Sequence, residues 1–124
     1  MRTERISESQ EQQAVIEWAE WASAKFPCLK LLYHIPNGGS RSRAEAGRFK
    51  SEGVKSGVPD LCLPAARHGY HGLYIEMKAV GGKVSDKQTA WMIALAGEGY
   101  LCRVCYGADT AIRLLEKYVQ EVRE

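Results

Sequence analysis

The sequence predicts an α/β fold in which a mixed β-sheet of about four strands is flanked by helices. Two apolar segments, residues 58–63 and 71–78, are separated by a short loop and indicate an antiparallel hairpin. The second segment is followed by a helical pattern and then by another strand-like segment, residues 100–106, which favours a parallel crossover. Helical periodicity near both ends of the chain supplies the layers that cover the sheet.

The size and charge of the chain limit its class. Its 124 residues predict one domain, residues 1–124, with a single core. The net charge is only +2, so a nucleic-acid partner has to be argued from a local basic patch and not from global charge. No apolar run reaches the length of a membrane span, and the N-terminus does not resemble a signal peptide. We therefore expect a cytosolic protein without a membrane partner.

The first predicted element is a helix over residues 8–26. Ser7 and Gln10 form a plausible capping box at its start, and Pro27 ends it. Apolar side chains recur at helical spacing and predict a buried stripe. After the helix, residues 29–35 predict a short strand, which stops at a turn over residues 36–39. The stripe consists of Val15, Trp18, Ala22 and Phe26.

A basic segment follows the turn. Ser40 is the predicted N-cap of a helix over about residues 41–52, which Gly53 ends. Charge alone fits an exposed, positively biased helix as well as a surface that grips phosphates. The position of this segment, immediately before the predicted hairpin, favours contact with a phosphate backbone. Its basic residues are Arg41, Arg43, Arg48, Lys50 and Lys55.

The hairpin carries the most informative pattern in the chain. Side chains alternate along a strand, so Glu76 and Lys78 point to one face and the apolar residues between them point to the other. If the two strands pair, Asp60 comes to lie beside them. Two carboxylates near an ammonium suit a magnesium ion that also contacts a phosphate. The alternative is an edge strand that carries a surface Glu-Lys pair.

The C-terminal third of the chain predicts a helix, a strand and a helix. Ser85 and Gln88 form a second capping box, at the start of a helix over residues 85–97. The free N–H groups at that helix start favour an anion. We expect Trp91 to pack in the core of the fold and not to stack on a base. Residues 100–106 predict the next strand, and Asp109 or Thr110 is expected to cap the last helix.

The four cysteines allow two interpretations. Cys102 and Cys105 form a CxxC pattern, which is used by some zinc and redox sites. However, there is no second CxxC, and residues three apart on a strand face opposite sides. Structural cysteines in the core are therefore the favoured interpretation.

Pro59-Asp60 followed by Glu76-Met77-Lys78 resembles the signature of the PD-(D/E)xK nucleases. Residues 53–60, 85–88 and Trp91, together with residues 34–39, resemble the VRR-NUC branch of that superfamily, and the resemblance runs from about Glu11 to Tyr106. It implies a restriction-endonuclease-like core and a metal-dependent phosphodiesterase that acts on DNA. Small stand-alone members of the branch occur in phages and bacteria and resemble Holliday-junction resolvases, which work as homodimers.

The resemblance also implies roles for single residues. Asp60 and Glu76 bind magnesium or manganese, Lys78 positions or activates water, and Gln88 lies close to the catalytic lysine. Glu11 resembles the family's helical glutamate in the metal shell, with Glu17 as the alternative on another side of the helix. The implied catalytic residues are Asp60, Glu76, Lys78 and Gln88, and the implied metal ligands are Glu11, Asp60 and Glu76. Asn37 is implied to lie near the active site, where it contacts the DNA substrate or supports the site.

The expected substrate is branched DNA, bound by a homodimer without a nucleotide cofactor. A flap nuclease or a nonspecific DNA nuclease is the first alternative. A nucleic-acid-binding module that kept the fold but not the activity is the second alternative.

Overall fold

The computed structural model describes residues 6–36 and 42–120, and it confirms the predicted fold class. A four-stranded mixed sheet is combined with four α-helices and one short 3-10 helix. In chain order the elements are α1 (Glu8–Ala22), the 3-10 helix (Pro27–Leu31), β1 (Tyr33–His34), α2 (Arg43–Ser51), β2 (Leu61–Leu63), β3 (Leu73–Lys78), α3 (Asp86–Gly97), β4 (Leu101–Tyr106) and α4 (Ala108–Val119).

The strands lie in the order β1-β2-β3-β4. The pairs β1–β2 and β2–β3 are antiparallel, whereas β3–β4 is parallel and is connected through α3. The strand that carries Glu76 and Lys78 is therefore an interior strand with a neighbour on each side, and the edge-strand alternative is wrong. None of the helices within the described residues has both the length and the apolar character that a membrane span requires.

The hydrophobic core lies on one face of the sheet. Helices α1 and α4 pack against each other there, and they cover Leu73, Ile75 and Met77, which alternate along β3. The other face of β3 carries Tyr74, Glu76 and Lys78, and α3 packs beside it against β4. The polar side chains of β3 are thus held between the sheet and the start of α3.

The first helix and the first strand are both shorter than predicted. Helix α1 ends at Ala22 and not at residue 26, because the Ser23 hydroxyl donates to the Glu20 carbonyl at 2.6 Å and closes the last turn. The predicted strand over residues 29–35 is mostly a 3-10 helix, and only Tyr33–His34 pair as a strand. Pro27 occupies the first position of that helix, where its fixed φ is favourable, and Leu29 becomes buried.

Both predicted capping boxes, at Ser7 and at Ser85, are present. Two other predicted caps are wrong. Helix α2 begins at Arg43, where the Ser42 side chain accepts the Glu45 N–H at 3.2 Å, so Ser40 is not its cap; Ser40 itself lies outside the described residues. Helix α4 begins at Ala108, before Asp109 and Thr110, and a side chain from α1 accepts its first N–H, as described below.

Candidate active site

Asp60 lies immediately before β2 and joins three strands. Its backbone carbonyl accepts the Ile35 N–H at 2.7 Å and lies 2.9 Å from Nδ1 of His34. Its side-chain Oδ2 accepts the Met77 N–H of β3 at 2.8 Å. The predicted strand over residues 58–63 shortens to Leu61–Leu63 because this carboxylate, and not a backbone carbonyl, pairs with β3. Asp60 is therefore fixed between β1 and β3.

Glu76 lies opposite Asp60 in the sheet. Leu61 pairs with Ile75 across the antiparallel strands, so the next position along places Glu76 across from Asp60 on the same face. Glu76 as a residue is 2% exposed and Lys78 is 7% exposed. The Lys78 ammonium lies 3.7 Å from Oε2 of Glu76. The structure thus brings together the three residues of the predicted motif.

Gln88 connects the start of α3 to this group. Its Oε1 accepts the Ser85 N–H at 2.9 Å, which completes the capping box, and its Nε2 donates to Oε2 of Glu76 at 3.2 Å. The resemblance implied that Gln88 lies close to Lys78, and the structure gives it a direct contact with the neighbouring Glu76. The first turn of α3 is consequently aimed at the site, where its free N–H groups favour an anion.

The environment of Glu76 favours its protonated form. Burial and the negative charge of Asp60 raise the pKa of Glu76 to about 8, with a smaller contribution from Glu8, while the Lys78 ammonium opposes this rise. A buried carboxyl group next to a second carboxylate keeps its proton to a higher pH, until a bound cation stabilises the ionised form.

The raised pKa leads to a prediction about stability. In the unfolded chain Glu76 ionises near its ordinary pKa of 4.5, so the folded, metal-free protein binds an extra proton up to about pH 8. The contribution of Glu76 to stability is therefore present below the unfolded pKa and is lost as the pH rises through 8. With EDTA present, we expect the Tm of the wild type to fall relative to that of Glu76→Gln between about pH 5 and pH 9.

Scanning calorimetry or dye-based melting at several pH values checks this prediction. Magnesium should restore the wild-type Tm mainly at the alkaline end, because a metal binds the ionised carboxylate. Glu116→Gln is the matched control, since Glu116 is exposed on α4. If the Tm changed equally with pH in the wild type and in Glu76→Gln, the raised pKa of Glu76 would be contradicted.

The site fits a small divalent cation. Within the described residues, the buried Oε1 of Glu76 has no hydrogen-bond partner, although buried carboxylate oxygens ordinarily have one. The Asp60 carboxylate lies beside it, and one or two carboxylates are what magnesium usually takes from a protein. No three acidic, histidine or cysteine side chains form a metal cluster in residues 6–36 and 42–120, so water or phosphate oxygens would supply the remaining ligands.

A carboxylate that sequence reasoning missed, Glu8, lies at the edge of this group. Its Oε1 and Cδ of Lys78 both come within 3.4 Å of the point where a Gly82 side chain would begin. Its charge also raises the pKa of Glu76. A helical spacing of seven residues puts Glu8 on the same side of α1 as the buried Val15, which is the one sequence signal that pointed to it.

Glu11, the predicted helical ligand, has a different contact. Its Oε2 accepts the N–H of Ala108, the first residue of α4. The side chain lies near Ala79, just beyond Lys78, but its carboxylate supports the helix start. Glu17, the alternative, is exposed on α1. The metal-binding role of Glu11 stays a prediction.

The predicted DNA-binding residues fall into two groups. Asn37 and Arg41 lie outside the described residues. Helix α2 has no buried residue, and its basic side chains are exposed, with Arg48 paired to Glu52 at 3.5 Å. This positive helix is available to a phosphate backbone. The exposed basic residues are Arg43, Arg48, Lys50 and Lys55.

The CxxC cysteines are separated by the sheet. Cys105 belongs to the hydrophobic core, whereas Cys102 is paired across the sheet with Tyr74 on the opposite face. Burial raises the pKa of Cys105 to about 11 and also raises the pKa of Cys102, which disfavours the thiolate that a metal or redox site needs. Both observations favour a structural role.

A mixed sheet with Pro59-Asp60 directly before one strand and Glu76-x-Lys78 on the next has the arrangement that the resemblance to the PD-(D/E)xK nucleases implies. The family model of the VRR-NUC domain matches residues 6–109. The chain belongs to the VRR-NUC family, and its function is accordingly of the nuclease type, with nucleic acid as the partner.

A solved structure named "VRR_NUC domain protein" is similar to this chain, with a TM-score of 0.79 and 32% sequence identity. The similarity covers 95% of this chain and 93% of that one. A comparison with curated proteins gave no match.

Proposed function

We propose that the protein is a divalent-metal-dependent DNA endonuclease that hydrolyses phosphodiester bonds. The observation that carries this proposal is the meeting of Asp60, Glu76 and Lys78 beside the start of α3. Two close carboxylates with an orphaned oxygen supply a cation site, and the adjacent ammonium supplies a positive group for the reacting phosphate. The proposal places the enzyme in the cytoplasm of a bacterial or phage-infected cell, where DNA is accessible.

Each residue has a distinct task in this proposal. Magnesium or manganese, held by Asp60 and Glu76, would lower the pKa of water and offset negative charge on the phosphate. The Lys78 ammonium orients the attacking water and stabilises the charge that develops on the phosphoryl oxygens. Gln88 fixes the orientation of the Glu76 carboxylate through its 3.2 Å hydrogen bond.

The glutamates of α1 act at the edge of the site. Glu8 adds negative charge that favours cation binding without joining Asp60 and Glu76 in a three-ligand cluster. Glu11 contributes by fixing the start of α4 next to the backbone of Lys78, whose carbonyl accepts the Gly107 N–H at 3.0 Å. We therefore propose that Glu8 is the helical glutamate that attracts the cation from the edge of the site, and that Glu11 supports the start of α4.

The substrate in this proposal is branched DNA, and the active form is a homodimer. Helix α3 is apolar, yet none of its residues is buried, and Ile93 is 69% exposed. Such a surface favours contact with a second copy. A two-fold symmetric dimer would present two active sites to the two-fold symmetric strands of a four-way junction. A light-scattering mass of one chain would contradict the dimer.

The experiment that tests the function is a cleavage panel. Linear duplex, flap and four-way junction DNA of matched sequence are incubated with magnesium, manganese or EDTA. We expect metal-dependent cutting of the junction, with weaker cutting of the linear duplex. Cutting of flaps or of every duplex would keep the chemistry and overturn the junction preference. Binding of DNA without cleavage under any metal condition would favour the non-catalytic module.

A further inference from the structure

An open cleft of about 750 Å³ lies between α2 and α3. Ala46 and Lys50 of α2 form one wall, and the other wall comes from α3. Residues 54–56, which follow α2, complete the lining. The volume lies in the range of sites that accommodate small ligands or one or two nucleotide units. The residues from α3 are Lys87, Ala90 and Trp91.

The charge of the cleft selects an anionic ligand. Lys50, Lys55 and Lys87 line it, and no acidic side chain of the described residues does. Glu52, which lies between Lys50 and Lys55 in the chain, lines a neighbouring hollow and is paired with Arg48 at 3.5 Å. Lys87 donates to the Ser56 hydroxyl at 3.1 Å, which fixes its side chain across the cleft. Three ammonium groups around one open cleft suit successive phosphates of a nucleic acid.

Trp91 gives the cleft an aromatic surface. Its side chain is only half-buried, in contrast with the core position expected from the sequence, and it lines both the cleft and the adjoining hollow. One edge of the indole packs against Gly57, where a methyl group would lie 3.1 Å from its Cδ1. Gly57 also has a φ of +90°, which other residues rarely adopt. The backbone therefore supports one edge of the indole and leaves the ring in the cleft.

A single strand fits this combination better than a duplex does. Base pairs in a double helix are stacked on each other, so their faces cannot reach an indole in a cleft of this size. An unpaired base exposes its face, and stacking on an aromatic side chain with lysines along the backbone is the usual arrangement in proteins that bind single strands. We propose that the α2–α3 cleft binds an unpaired DNA strand, with a base stacked on Trp91 and phosphates held by Lys50, Lys55 and Lys87.

The cleft lies next to the candidate active site. Lys87 in the cleft and Gln88 at Glu76 are consecutive residues in the first turn of α3, and Trp91 is one turn from Lys87 on the same side of the helix. A strand held in the cleft would therefore leave the duplex close to the cutting centre. This inference rests on the proposed function, because it names the part of a branched substrate that the enzyme holds.

Binding in EDTA tests the cleft independently of cleavage. Fluorescence anisotropy would compare a blunt duplex with the same duplex carrying an unpaired arm of about ten thymidines, a length that falls within single-strand site sizes. For the wild type we expect tighter binding of the armed duplex. Trp91→Leu should reduce this preference by about tenfold, and Trp91→Phe should keep most of it, because only the phenyl ring can still stack.

Trp21→Phe is the matched control, since Trp21 is 79% exposed on α1 and lies outside the cleft; its preference should equal that of the wild type. An unchanged preference in Trp91→Leu, or an equal loss of affinity for both DNAs, would overturn the proposal. If Trp91→Leu does not fold, quenching of tryptophan fluorescence by oligothymidine tests the proposal instead. Weaker quenching in Trp91→Phe than in the wild type would support stacking on Trp91, and equally strong quenching would overturn the proposal. Failure of the nuclease proposal would show separately, as absence of cleavage with magnesium.

Discussion

Asp60→Asn is expected to lower the single-turnover rate of DNA cleavage by at least about 1000-fold, which corresponds to about 4 kcal/mol of lost transition-state stabilisation. The substitution removes one of the two charges that hold the cation. It keeps a side-chain oxygen that can accept the Met77 N–H, the contact that Asp60 makes at 2.8 Å. The loss should therefore be chemical, with a melting temperature within a few degrees of the wild type.

Two measurements separate chemistry from folding in this variant. Rapid-quench cleavage at saturating enzyme gives the rate, and titration with magnesium, followed by stabilisation against heat, gives the cation affinity. Glu116→Gln removes an exposed carboxylate from α4 and should leave both unchanged. Cleavage by Asp60→Asn within tenfold of the wild type would show that this carboxylate does not hold the metal.

Lys78→Met is expected to lower the single-turnover rate by about 100- to 10,000-fold at saturating magnesium, the range seen for a positioned acid, base or charge-stabilising group. Methionine preserves much of the length of the buried stem, which packs near Gly82. It removes the ammonium that lies 3.7 Å from Glu76. The Glu76 carboxylate then has no ammonium beside it to compete with a cation, so magnesium should bind at least as tightly as in the wild type.

The comparison of rate and binding is what makes Lys78→Met informative. Affinity for DNA, measured with calcium in place of magnesium, should change by only a few-fold, since one buried ammonium is a small part of a phosphate-binding surface. Lys117→Met, on the exposed side of α4, is the matched control and should behave as the wild type in all assays. A near-normal single-turnover rate in Lys78→Met would remove Lys78 from the reaction.

The trio at the centre of the site was predictable because its geometry follows from short-range rules. Alternation along one strand puts Glu76 and Lys78 on the same face, and a hairpin of two antiparallel strands then brings Asp60 opposite Glu76. The capping box at Ser85 was visible for the same reason, since its partners are three residues apart. Rules of this kind need no knowledge of which distant elements pack together.

Features that depend on packing between distant segments could not be read from the sequence. Glu8 raises the pKa of Glu76, whereas Glu11 contacts Ala108, because the packing of α1 against the sheet and α4 decides which glutamate comes near. Periodicity alone left several acidic positions on α1 equivalent. The half-buried position of Trp91 likewise depends on how far α2 stands from α3, which local pattern does not define.

The predicted ends of helices and strands were wrong where a single side chain or a proline competes with a regular pattern. The Ser23 hydroxyl stops α1 early, and Pro27 turns a strand-like apolar segment into a helical turn. The cap of α4 was wrong because its acceptor, Glu11, is distant in the chain, whereas capping rules consider only neighbours.

The contact between Glu11 and Ala108 has a consequence for the order in which the protein becomes active during its synthesis. It ties the first helix to residues made 97 positions later, and α1 and α4 also pack against each other across the core face of the sheet. A ribosome releases the N-terminal part first, so α1 has to wait for α4 before its position is fixed. Glu8 and the backbone around Lys78 then take their places only after α4 has been made, so a nascent chain without α4 should lack the activity proposed for the folded protein.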